Sequence, residues 1–291
     1  MPEARKPIVA APTRDKLGES VLWHPGEQSL YWIDLMQPTV RRMKGGTGEP
    51  QSWPIRGTGT LGSLTFASGG RLMLAIDQGL VLFDPATGNM EPFVDPNDQR
   101  EGVIYNDSKI DRDGRLWLGN YDKAESEPTG VLYCVYPDGR FRLADSGIAV
   151  TNGPAISPDG GTLYLSDTTG KRILRHSIDR ATGRLSHRRL FATIDPGMPD
   201  GLTIDAAGRL WVAHYGGGCI TRLMPDGTVD RVIELPTANV TSTCLGGPKL
   251  TTLYITTAEV PANPGPLDGA LFCVEVDGPG LPEPIFAPWR G

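Results

Sequence analysis

No stretch of this 291-residue chain approaches the roughly 20 consecutive apolar residues of a membrane span. The N-terminal segment MPEARKPIVAAPTR has no apolar signal core. Both absences lead to the expectation of a cytoplasmic protein with no membrane partner. The four cysteines, Cys134, Cys219, Cys244 and Cys273, are far apart and form no CxxC pair, so free, mostly buried thiols are expected. The net charge is −6 and no lysine or arginine stripe interleaves with aromatics, which excludes a nucleic-acid footprint. Nor is there a GxSxG elbow, an HExxH pair, a Walker loop or a GxGxxG opening a helix, so covalent acyl-enzyme chemistry lacks an obvious nucleophile. A sustained 3.6-residue apolar period is missing too, and little helix is expected.

What the chain does have is glycine and proline, 37 and 26 residues, alongside 39% apolar residues. With no three-residue period, that combination means many turns in a packed protein. The turns recur. Short apolar runs begin at Leu30, Leu72, Leu116, Leu163, Leu210 and Leu253, spaced by 42, 44, 47, 47 and 43 residues, each after a turn-rich segment such as DRDGR or SPDGGT. Asp113-Gly114 and Asp138-Gly139 sit between apolar alternations and predict hairpins. A period of about 45 residues with several short strands per repeat is that of a β-propeller. The expected fold is therefore all-β, a six-bladed propeller forming one domain over residues 1–291, with one chain end adding an outer strand to the last blade.

A propeller brings equivalent positions of every repeat to one axis. In the third repeat Asn106 lies four residues before Ile110; in the fourth, Asn152 lies four before Ile156; in the fifth, Asp200 lies four before Ile204; in the first, Glu19 lies four before Trp23. The same rule gives Gly62 and Ser242 in the other two repeats. If the first strand of each blade lines the channel, these six positions ring one mouth. Acids and carboxamides converging there repel or go unsatisfied unless a cation sits among them. An all-oxygen donor set suits one hard divalent ion such as Ca²⁺ or Mg²⁺, with Mn²⁺, Fe²⁺ and Zn²⁺ left open. Singly, each residue also reads as a turn former, since Asp-Gly alone occurs seven times. Four residues beyond each leucine, Asp34, Ile76, Asn120, Asp167, His214 and Thr257 are expected back at that face as supporting or wall residues. His214, just before the glycines at 216–218, is the expected substrate contact among them.

The segments LGES (17–20), YNDSKID (105–111), TNGPAISPDGGTLYLSD (151–167) and PDGLTIDAAGRLWVA (199–213) together resemble the SMP-30/gluconolactonase/LRE family. The resemblance runs from about residue 15 to residue 277, and residues 234–258 are similar to bacterial sugar lactonases. It implies a six-bladed propeller that binds one divalent cation and hydrolyses aldonolactones such as glucono- or xylonolactone. It implies Glu19, Asn152 and Asp200 as metal ligands, Asn106 as a substrate contact and Asp200 as general base. The alternatives are a non-sugar lactone or organophosphate hydrolase on the same propeller, and a calcium-binding propeller without catalysis. The expected partner is a small-molecule lactone, and the expected state a monomer or weak homodimer. One position departs: many relatives carry a substrate-gripping arginine where this chain has Ile104, and Arg100 stands four residues upstream.

Overall fold

The computed structural model describes residues 6–98, 102–260 and 262–289. They form six four-stranded antiparallel sheets. The innermost strands are Gly18–His24, Leu61–Ala67, Val103–Ile110, Thr151–Ile156, Met198–Ile204 and Val240–Gly246. Each of the six leucines that mark the repeat lies in the second strand of its sheet, and the only helical element described is a short 3-10 turn at Ser68–Gly70. The two Asp-Gly hairpins form as expected, with Gly114 and Gly139 both at φ +82°, a conformation open to glycine at no steric cost.

The ring closes through its cores. Six apolar clusters each join one sheet to the next: for instance Leu64 and Phe66 with Val40 between the first and second sheets, and Trp23 and Trp32 with Tyr254 between the first and the sixth. The N-terminal strand Ile8–Ala11 pairs antiparallel with Leu271–Glu275 and completes the sixth sheet. That is the outer strand expected from one chain end. The C-terminal segment does something the repeat pattern does not announce. It crosses the far end of the channel, bridging Asp205 at Gly280 and Ala67 at Phe286. Glu283 pairs there with Lys109 at 2.9 Å, and Phe286 is fully buried. The channel therefore has an open mouth and a covered floor.

A tryptophan–aspartate–arginine device recurs in three blades, at the floor end of the third and fifth and on the mouth side of the first. Trp32, Trp117 and Trp211 are fully buried and donate their indole N–H to Asp15, Asp111 and Asp205 at 3.0, 3.0 and 3.3 Å. Arg41, Arg115 and Arg209 then donate Nε to the same three carboxylates at 2.7, 2.6 and 2.7 Å. Each indole adds roughly 150–250 Å² of burial to the blade without leaving its N–H unpaired, an omission that costs about 1–3 kcal/mol. No helix among the described residues is long and apolar enough to cross a membrane.

Candidate metal centre

Each inner strand breaks its pairing register near the mouth: between Glu19 and Leu22, Leu61 and Ser63, Tyr105 and Ser108, Asn152 and Ala155, Pro199 and Leu202, and Val240 and Thr243. A bulge of this kind re-aims side chains that strict alternation would send into the sheet interface. Glu19 and Asn152 sit at the edge of their bulges, and Asn106 and Asp200 within theirs. All four line one cavity of about 150 Å³. The other two ring positions do not reach it. A Cβ on Gly62 would stand 2.1 Å from the Tyr105 carbonyl oxygen, so only glycine fits there. Ser242 instead lines a smaller pocket deeper in the channel with Asp107.

The mouth and the channel just below it are acidic. Glu19, Asp107 and Asp200 are all buried. Burial, and then repulsion from Asp200 and Asp107, push the Glu19 carboxyl well above the usual carboxylate range. Burial, and then Asp107, do the same to Asp200. Asp107 is raised to about 7 by burial, against the opposing pull of the Gly153 N–H and Lys109. Asp200 Oδ1 is the one carboxylate oxygen among the described residues that is fully buried without a hydrogen-bond partner. An orphaned buried oxygen beside a second buried carboxylate is an arrangement a cation would relieve. Among the described residues no three His, Cys, Asp or Glu side chains come together as a metal cluster. The available donors are instead mixed, two carboxylates and two carboxamides, all oxygen. Hard divalent ions accept such a set.

The carboxamides are tied into a chain. Asn106 Nδ2 donates to the Thr151 carbonyl at 2.8 Å and to Asn152 Oδ1 at 2.6 Å. Asn152 Nδ2 donates to Thr168 Oγ1 at 3.0 Å. The neighbouring Ser166 hydroxyl donates to the backbone carbonyl of Asp200 at 2.8 Å. Asn106 is thus hydrogen-bonded to Asn152, one of the residues expected to hold a metal.

The second-strand expectation lands one residue away. The cavity wall carries Leu35, Tyr121, Thr168 and Tyr215, each the residue after Asp34, Asn120, Asp167 and His214. The latter four organise the loops behind the wall. Asp34 accepts backbone N–H groups of Lys16, Leu17, Met36 and Gln37. Asn120 bonds Asn97 and the Val131 N–H, and Asp167 holds Arg172. His214 is buried, its Nδ1 bonded to the Pro196 carbonyl at 2.8 Å and its Nε2 without a partner. It does not line the cavity, and burial pushes its pKa down. Ile76 packs in the core between the first two sheets, and Thr257 donates to the Ala270 carbonyl at 2.7 Å.

The remaining wall is largely apolar, with Leu17, Val150 and Met198, and a single further acid, Glu125. Tyr121 and Tyr215 are both pushed above the usual phenol range, chiefly by burial and then by nearby acids including Glu125, so they stay protonated. Ile104 packs with Tyr121 and Val150 behind the wall. Arg100 lies outside the described residues. Two larger grooves, of about 560 and 650 Å³, run along the outer strand of the fifth blade, but their acids, Glu234 and Glu275, are exposed and converge on nothing.

Comparison with known proteins bears on the family and the fold. The family described as SMP-30/Gluconolactonase/LRE-like region matches residues 17–259. The chain is 32% identical over 284 residues to pentonolactonase XacC of Haloferax volcanii, covering 93% of this chain and 94% of that one. It is 33% identical to the 6-deoxy-6-sulfogluconolactonase of Pseudomonas putida, covering 99% and 100%. Among solved structures, the calcium-binding protein regucalcin of Agrobacterium tumefaciens superposes with a TM-score of 0.89 at 26% identity, over 98% of this chain and 97% of that one.

Proposed function

The chain belongs to the SMP-30/Gluconolactonase/LRE-like family, and on that premise we propose that it hydrolyses sugar lactones to their hydroxy acids at the channel mouth. The observation that carries this reading is the buried, partnerless Asp200 carboxylate oxygen at the cavity that Glu19, Asn106 and Asn152 also line. The two similar chains named as lactonases support the substrate class.

Glu19, Asn152 and Asp200 are the side chains that would hold one divalent cation. Such an ion offsets the two carboxylate charges and draws electron density from the lactone carbonyl. The protein's own residues supply the rest. No other group of the protein bonds Asp200 Oδ1, and the Asp200 carboxylate takes a proton from the water that attacks the carbonyl carbon. The ring C–O bond then breaks, and the departing ring oxygen receives that proton from Asp200. One water is added and the carboxylate is restored. Asn106, fixed through its Nδ2 on Thr151 and Asn152, keeps its Oδ1 clear of other bonds among the described residues and orients the water or a substrate hydroxyl. The phenol groups of Tyr121 and Tyr215 remain donors for substrate hydroxyls, while Leu17, Leu35, Val150 and Met198 limit water around the reacting carbonyl. A cavity of about 150 Å³ takes a monosaccharide-sized ring.

The experiment is pH-stat hydrolysis of glucono-, xylono-, arabinono- and galactonolactone. Saturable turnover of at least one of them is expected, lost after exhaustive chelation and restored by one divalent metal. No turnover of any member by metal-reconstituted protein would overturn the reading.

A further inference from the structure

The polarity of the carboxamide chain is set by a single group. The Thr151 carbonyl can only accept, so the Asn106 side-chain atom 2.8 Å from it must be the amide nitrogen. That nitrogen also faces Asn152, so the Asn152 atom 2.6 Å away must be its carbonyl oxygen. The amide of Asn152 is planar, and its nitrogen therefore points the other way, to Thr168 Oγ1 at 3.0 Å. Thr168 is buried, stands just beyond the second strand of the fourth blade and is itself part of the cavity wall. We infer that Thr168 is a positioning residue for the cation: its hydroxyl holds the nitrogen end of Asn152 so that the oxygen end is presented at the mouth with Glu19 and Asp200. A carbonyl oxygen has two lone pairs. One is engaged by Asn106, and the other is left for a metal ion.

The hydroxyl is the operative part of Thr168. Its backbone N–H donates to Val150 at 3.1 Å and its carbonyl accepts from Lys171 at 3.0 Å. Neither bond involves the side chain, so valine keeps the local backbone and the shape while removing the acceptor. Without that acceptor, the Asn152 N–H has no buried partner and the amide is free to rotate. Groups that orient a metal ligand from behind cost about 10–100-fold in metal affinity when removed.

This inference rests on the reading of Asn152 as a cation ligand, and the test separates the two. Metal-free wild type, Thr168→Val and Thr168→Ser are each titrated calorimetrically with Ca²⁺ and Mn²⁺. Valine is expected to weaken binding by about 10–100-fold, and serine, which restores the hydroxyl, to stay within about threefold of wild type. Thr168→Ala, which adds no bulk, gives the same comparison should valine not fit. If wild type binds neither ion, the cation reading falls and this inference with it. If wild type binds and the valine and alanine variants bind equally well, Thr168 has no positioning role. Equal weakening by serine and valine would likewise overturn it, because the hydroxyl would not be the cause.

Discussion

Asp200 and Asp205 stand five residues apart at opposite ends of one inner-strand segment, both almost fully buried at 4% and 0% exposure. At the floor, Asp205 accepts the Arg209 Nε at 2.7 Å, the Trp211 indole at 3.3 Å and the backbone N–H groups of Ala207 and Arg209 at 3.0 Å each. At the mouth, Asp200 Oδ1 accepts nothing, and the strongest charge acting on Asp200 is another acid, Asp107. The third blade repeats the pattern, with Asp111 satisfied by Arg115 and Trp117 at one end of the strand and Asp107 raised to about 7 near the other. A fold that provides an arginine, an indole and a turn for its floor aspartates has the means to pair a buried acid. Leaving Asp200 Oδ1 without a partner is then a property of the site and not of the strand. The floor charges hold the blade together, while under the proposed function the mouth charges serve a cation.

The strongest way to break this contrast is to neutralise each aspartate in turn. Asp200→Asn is expected to cut lactone turnover by roughly 10²–10⁴-fold, the usual range for a lost general base, while leaving the fold intact. The direction of its stability effect also follows. A carboxyl whose folded pKa lies above its unfolded value favours the folded state at low pH and loses that contribution as pH rises through the folded pKa. Metal-free Asp200→Asn should therefore melt no lower than metal-free wild type at pH 8, as scanning calorimetry can measure. A much lower melting point would mean that Asp200 is a structural acid like its neighbour. The smaller effect is at the floor. Asp205→Asn breaks a buried pair and disturbs four hydrogen bonds, so a loss of about 2–4 kcal/mol in unfolding free energy is expected, with turnover per folded molecule close to wild type. An Asp205 variant of full stability, or one that folds but loses turnover, would erase the division between the two ends.

The repeat and the ring at the mouth were legible because both depend on spacing. Glu19, Asn106, Asn152 and Asp200 share one register, and the structure brings them to one cavity. The same counting failed on the second strands, where Asp34, Asn120, Asp167 and His214 lie one residue short of the wall formed by Leu35, Tyr121, Thr168 and Tyr215. A one-residue slip along a strand turns every side chain to the other face. The inner-strand bulges create that slip, because they insert residues that apolar periodicity does not register. They also explain why Asp107 went unnoticed: strict alternation sends it away from Asn106's side, whereas the bulge between Tyr105 and Ser108 leaves both in the channel. The C-terminal crossing of the floor had no repeat to betray it, since Gly280, Glu283 and Phe286 belong to no blade.

The central claim is that unbalanced negative charge at the mouth is the seat of a divalent cation. Calorimetric titration of metal-free protein with a divalent ion, in buffers of differing ionisation enthalpy, tests it directly. Because Glu19 and Asp200 hold protons above the usual carboxylate range, binding should expel protons at mildly acidic pH and fewer as pH rises. One ion per chain is expected, with that proton release, and loss of the site in Glu19→Gln. No binding, or binding that Glu19→Gln leaves untouched, would contradict it.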